Sequence, residues 1–213
     1  MTLVGSAVQW IHQDAALLVL NKPAGLLAVP GRGPDKQDCL SARVQAQRPG
    51  ALVVHRLDMA TSGLMLMAAH SCSQKALSRA FQMRQIRKQY VAQVMGRVSE
   101  AYEQVWHCID QPLAADWPNR PRQMIDWDRG RPSQTRWRVL QRGNNFSRLL
   151  LEPVTGRSHQ LRVHLQALGH PIIGDPLYAP QAPAHRLMLH ACRLELEHPS
   201  TGCALIFESP APF

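Results

Sequence analysis

The chain has 213 residues, a net charge of +9, a pI of about 10.0 and 45% hydrophobic residues, which fits one domain with a sizeable core and excludes a disordered chain. Only four of the 24 basic residues are Lys (Lys22, Lys36, Lys75 and Lys88), so 20 are Arg, whose planar fork grips phosphate and stacks on bases; a nucleic-acid partner is favoured over a membrane surface. No apolar run reaches the length of a membrane span and residues 1–20 lack the basic head of a signal peptide, so a cytoplasmic location is expected.

In chain order, Ala15–Leu20 predicts a buried strand, broken by the turn residues Asn21-Lys22-Pro23-Ala24-Gly25. A polar loop over 30–38 leads to a short helix over 38–47, with Leu40 and Val44 on one face. Ala51–Val54 and Leu64–Ala69 predict strands on either side of His55-Arg56-Leu57-Asp58. A carboxylate between two apolar strands is costly unless something pairs with it or uses it, which marks Asp58 as a functional candidate. Ser73 is the expected cap of a helix to about Gln85, anchored by Leu77 and Phe81 and ending in Arg84, Arg87 and Lys88. Gln89–Met95 predicts a strand with Tyr90, Ala92 and Val94 facing one way.

Residues 110–148 are rich in Pro, Trp and Arg. Basic residues mixed with aromatics suit a folded RNA with splayed bases; the plainer alternative is a solvated hairpin. The Arg set is assigned to RNA, and Trp127 and Trp137 to the core. Arg148–Glu152 predicts a strand and Thr155-Gly156-Arg157-Ser158 a turn. Ser158 is the expected N-cap of a helix through Leu168, with Gly169 in the C-cap position and Pro171 beyond. Residues 185–190 and 193–197 predict the last strands. With no repeat or linker evident, the expectation is a single α+β domain of mixed, mostly antiparallel strands covered by a few helices.

Five Cys without a C-x-x-C spacing point to reduced, scattered thiols. His159 and His164 are five apart, which splays them on a helix, and H-E-x-x-H is absent, so no metal site is expected. His55, His159 and His164 are assigned to packing and turn hydrogen bonds or, in the case of His159, to RNA backbone contact.

Four segments then occur in the order and spacing of one family: His55-Arg56-Leu57-Asp58, Arg87-Lys88-Gln89-Tyr90-Val91-Ala92, Thr155-Gly156-Arg157-Ser158-His159-Gln160-Leu161-Arg162-Val163-His164, and Gly169-His170-Pro171-Ile172-Ile173-Gly174-Asp175-Pro176-Leu177-Tyr178. With the Asn21-Lys22-Pro23 turn, the chain resembles the RluA family of RNA pseudouridine synthases over nearly its whole length. Asp116-Trp117-Pro118-Asn119-Arg120-Pro121 and Gly130-Arg131-Pro132-Ser133-Gln134-Thr135 are similar to the namesake branch of that family, as is the expected lack of a small N-terminal RNA-binding domain.

The resemblance implies the pseudouridine synthase fold, a mixed, mostly antiparallel bent sheet with flanking helices. It implies isomerisation of uridine to pseudouridine in 23S rRNA and in a tRNA anticodon stem-loop, without metal or cofactor; a monomer is expected because the sequence shows no exposed apolar stripe. Asp58 would be the essential carboxylate, attacking covalently or removing a sugar proton. Arg157 would hold it ionised, and Tyr90 would stack on the base and take its C5 proton. Arg56 would enter the stem beside the flipped nucleotide, and Trp117, Asn119, Arg120, Arg122 and His159 would contact RNA and help offset the cost of extrusion. Two other classes stay open: an RNA-binding or chaperone module with a vestigial site, and a nuclease, which would need a metal cluster or paired His residues. Residues 97–109 and 179–184 carry the least resemblance, so the choice of target nucleotide is open to change there.

Overall fold

The computed structural model describes residues 7–99 and 105–213, so part of the weakly matching 97–109 segment lies outside the described residues, as do the first six residues of the chain. The described residues fall into two compact units. One is built from the chain up to residue 87 together with 193–210, the other from 88–192 together with 211–213.

The first unit begins with β1 (Gln9–Gln13), β2 (Leu17–Lys22), α1 (Leu40–Gln47), β3 (Leu52–Val53), β4 (Ser62–Ala68) and α2 (Ser71–Gln82). β1 pairs with β2, and β4 with both β2 and β3, all antiparallel. β4 is buried throughout because its sequence, Ser-Gly-Leu-Met-Leu-Met-Ala, carries no charge to keep in water. Leu17, Val19, Leu64, Leu66, Leu77 and Ile86 form the core, with Phe81 packed against it. The apolar pair of α2 thus faces inward as its four-residue spacing requires.

The second unit holds β5 (Arg87–Met95), β6 (His107–Asp110), β7 (Leu113–Ala115), β8 (Gln123–Ile125), β9 (Gln134–Arg142), β10 (Phe146–Pro153) and α3 (Gln160–Ala167). β5, β10, β9 and β6 pair antiparallel in that order, and β7 and β8 form a separate hairpin. The chain then runs through β11 (Leu189–Glu197), whose last five residues return to the first unit and pair antiparallel with β12 (Ala204–Glu208). Each of these strand pairings is antiparallel, and the helices are few and short, as the α+β reading expects.

The differences lie mostly at element ends. α2 starts two residues before Ser73: His70 is the cap, its Nδ1 accepting from the Ser73 N–H, and the Ser73 hydroxyl is the reciprocal half of the capping box. Arg84 lies past the helix end with φ at 58°. α3 is not capped by Ser158. His159 holds the N-cap position in the left-handed region with φ at 54°, and its side chain makes no cap bond. Gly169 takes φ of 85° just beyond the C-cap, the conformation a helix-ending glycine supplies without a Cβ clash. The two final predicted strands are one, β11, and 185–188 lie outside it. Trp137 is in the core at 1% exposure, but Trp127 is 71% exposed. It follows β8 and occupies a surface turn, whereas Trp137 lies within β9, between the paired strands β6 and β10.

Candidate active site

In the first unit, His55-Arg56-Leu57-Asp58 joins β3 to β4. Leu57 is buried at 7% exposure, while Arg56 beside it is exposed and Asp58 is half-buried. The turn is pinned from both sides. The Thr61 N–H donates to the Asp58 carbonyl at 3.1 Å, and the Gly25 N–H donates to the Met59 carbonyl at 2.9 Å. His55 Nε2 accepts from the Leu66 N–H at 2.9 Å, and its ring lies 4.5 Å from that of Phe81.

Lys22, at the end of β2, is fully buried. Its ammonium donates to the carbonyls of Pro23 (2.9 Å), Leu26 (2.7 Å) and Met59 (2.9 Å). A buried ammonium is tolerated only when its donors are met, and these carbonyls meet them. One consequence is local to Asp58: the residue that follows it is tied to a fixed positive charge.

In the second unit, Tyr90 lies on β5 opposite Leu151 of β10. Arg157 sits six residues further along the chain, exposed, in the turn before α3. That turn is wired by Gln160. The Gln160 Oε1 accepts from the Arg157 N–H (3.0 Å) and the Thr155 hydroxyl (2.7 Å), and its Nε2 donates to the Gln134 carbonyl (2.9 Å) and to Thr135 Oγ1 (3.0 Å). His164 completes the network. Its Nε2–H donates to the Gln111 carbonyl and its Nδ1 accepts from the Thr135 hydroxyl. Burial pushes the His164 pKa down, so it is a neutral structural residue, as its placement in the core face requires.

Arg157 and Ser158 line a groove of about 380 Å³, together with Ala115, Trp117, Gln123, Arg129 and Arg131. Asp126, also on the groove, has its carboxyl held below the usual range by hydrogen bonds from the backbone N–H groups of Arg129 and Asp128 and from the Arg129 guanidinium. Beyond β7 the chain makes a tight loop. The Asp116 N–H donates to the Arg122 carbonyl, and Asn119 Nδ2 donates to both Asp116 carboxylate oxygens at 3.0 Å. The Arg120–Pro121 peptide is cis, and the Arg120 guanidinium lies 3.1 Å from the ring centroid of Trp117, which is itself 68% exposed. An exposed Trp under an Arg is a stacking platform with a charge beside it.

Of the residues singled out in the sequence, Arg56 and Asp58 share one turn in the first unit. Trp117 and Arg157 line one groove in the second, with Asn119, Arg120 and Arg122 on the adjoining loop and His159 two residues past Arg157. Tyr90 belongs to the second unit but not to the lining of that groove. Three side chains that brace these positions escape sequence reasoning: Lys22, Gln160 and Tyr178. Lys22, closing a strand that opens on the apolar run Leu17–Leu20, is the one visible signal.

Residues 16–167 match the family model for RNA pseudouridylate synthase. The dual-specificity RNA pseudouridine synthase RluA of Escherichia coli strain K12 is 47% identical over 207 residues, covering 95% of this chain and 93% of that protein. The protein of the same name from Yersinia pestis is 45% identical, covering 95% and 98%. Among solved structures, human RNA pseudouridylate synthase domain containing 1 superposes with a TM-score of 0.80 at 28% identity, covering 100% of this chain and 87% of that one.

Proposed function

Because this chain belongs to the RNA pseudouridylate synthase family and isomerises uridine to pseudouridine in RNA, we propose that Asp58 is the carboxylate that drives the isomerisation. The substrates we propose are 23S rRNA and a tRNA anticodon stem-loop, in keeping with the dual specificity named for the relatives that match nearly end to end. The observation that carries the reading is the intact Arg56, Asp58, Tyr90 and Arg157 set within a chain alike over 95% of its length. A vestigial binding module has no use for that set.

The reaction breaks the bond from N1 to C1′ and forms one from C5 to C1′. A proton leaves C5 and one is gained at N1, so nothing is oxidised or reduced and no electron carrier is needed. Asp58 either attacks C1′ or removes a ribose proton, and both courses require it ionised. Arg157 supplies positive charge, and its backbone is fixed by Gln160. Tyr90 stacks on the detached base, and its hydroxyl takes the C5 proton. Phe keeps the stacking and loses the proton transfer. Tyr90→Phe is therefore expected to lower kcat by about 10²- to 10⁴-fold with KM changed little. Steady-state pseudouridine formation on a stem-loop substrate checks this, and an unchanged kcat removes Tyr90 from proton transfer.

Arg56 and the 117–122 loop grip the stem and offset the few kcal/mol of base extrusion. Charge reversal at Arg120 and Arg122 together is expected to raise the Kd for RNA at least about tenfold and to lower the salt slope of log K by about two. Binding titrations across a salt series read both, and an unchanged slope takes the loop out of the interface.

A further inference from the structure

We propose that Tyr178 is a positioning residue whose hydroxyl fixes the spacing between the two walls of the Arg157 groove, and with it the grip on RNA. One wall is the β7–β8 hairpin with Ala115, Trp117 and Gln123; the other is the turn with Arg157 and Ser158. Tyr178 is 2% exposed, and its hydroxyl reaches both walls. The oxygen accepts from the Gln123 N–H at 2.8 Å and lies 2.8 Å from His159 Nδ1. The hydroxyl proton has two acceptors in reach, His159 Nδ1 and the Gln123 carbonyl at 3.4 Å, and the phenol oxygen has a lone pair for a His159 Nδ1–H, so either tautomer of His159 keeps the link between the walls. His159 is the residue held at φ of 54° without a side-chain cap bond, and its contact with Tyr178 helps hold that unfavourable backbone.

The phenol is itself anchored at its base. The Tyr178 N–H donates to Asp175 Oδ1 at 3.1 Å, and Asp175 receives both arms of Arg162 on α3 at 2.7 Å. The Arg162 guanidinium lies 5.0 Å from the Tyr178 ring and that of Arg122 lies 5.5 Å from it. Arg122 immediately precedes Gln123, so the hydroxyl that holds the Gln123 amide also holds the base of the 117–122 loop. The chain of contacts therefore runs from a buried ion pair, through one phenol, to the loop assigned to RNA and to the turn carrying Arg157. The inference rests on the reading of that loop as an RNA contact.

Tyr178→Phe tests it, because Phe keeps the ring, its burial and its two cationic neighbours and deletes only the strut. RNA affinity, kcat, and a double-mutant cycle with Arg122→Ala are measured on a stem-loop, with circular dichroism as the fold control. The Kd is expected to rise about tenfold and the salt slope to fall by about one, with kcat at saturating RNA within twofold. On the Arg122→Ala background the same change is expected to add less than twofold, because Arg122, the charge beside the amide the strut holds, is already gone. A merely structural Tyr178 would leave the salt slope alone and be additive with Arg122→Ala, and either result overturns the proposal. Arg122→Ala without effect overturns the loop reading; Arg122→Ala weakening RNA while Tyr178→Phe binds normally overturns the strut alone. If Tyr178→Phe does not fold, His159→Asn cuts the same link from the other side and Asn tolerates the left-handed backbone, so the same non-additivity is expected.

Discussion

Asp58→Asn is expected to reduce pseudouridine formation by about 10⁴- to 10⁶-fold while leaving the Kd for RNA within a few-fold. The substitution keeps the shape of the side chain and removes its charge. The backbone bonds of the turn are kept: the Asp58 carbonyl receives Thr61, and the Met59 carbonyl receives Gly25 and Lys22. An amide can neither attack C1′ nor take a ribose proton at neutral pH, so both courses of the reaction fail together. The RNA contacts proposed for Arg56 and the 117–122 loop are left in place. Kinetics with synthetic stem-loops and a parallel binding titration separate the two effects. Activity within tenfold of wild type would show that a different group does the work.

The second large effect is on stability. Arg162 and Asp175 are 4% and 0% exposed as side chains and meet in a two-armed contact at 2.7 Å. Asp175 also receives the N–H groups of Leu177 and Tyr178, so one carboxylate organises the whole 175–178 turn. Arg162→Leu strands that carboxylate without its counter-ion, and removal of one partner from a buried pair costs about 3–5 kcal/mol. For a chain of this size each kcal/mol moves Tm by about 2–4 °C, so a drop of roughly 6–20 °C is expected in thermal unfolding. Replacing both partners with apolar residues is expected to recover much of the loss, because no charge is then left buried. A single-variant loss below about 1 kcal/mol would mean that the pair is not desolvated as described.

Much of the fold is legible ahead of the structure because its central strands are plain. The apolar run Leu17–Leu20 of β2, the uncharged Ser62–Ala68, and the alternation in Arg87–Met95 fix element type with little help from tertiary context. β1 and β12 escape a sequence reading, and their burial explains it: each shows partly exposed positions and no buried one, so there is no apolar stripe to find. Helix starts shift where a serine looks like the obvious cap. Ser73 does cap, but from the third helical position in partnership with His70, and α3 has no side-chain cap at all; there Gln160 instead holds the preceding turn through the Arg157 N–H. Trp127 shows the limit of composition, since a large apolar side chain does not say whether a strand will cover it.

The site divides in the same way. Asp58, Arg56, Tyr90 and Arg157, the proposed site residues, stand out because they lie in short linear strings. The residues that position them do not. Lys22 reaches Met59 across 37 residues, Gln160 reaches Thr135 across 25, and Tyr178 reaches Gln123 across 55. Such contacts are created by the packing of elements distant in sequence and leave no local pattern behind.

The most direct test of the central claim is pseudouridine mapping at nucleotide resolution on 23S rRNA and tRNA from a strain lacking this protein, each incubated with wild type or with Asp58→Asn. The account predicts a new pseudouridine in both RNAs with wild type and none in either with the variant. Wild-type protein that binds both RNAs and converts no uridine in either would contradict it.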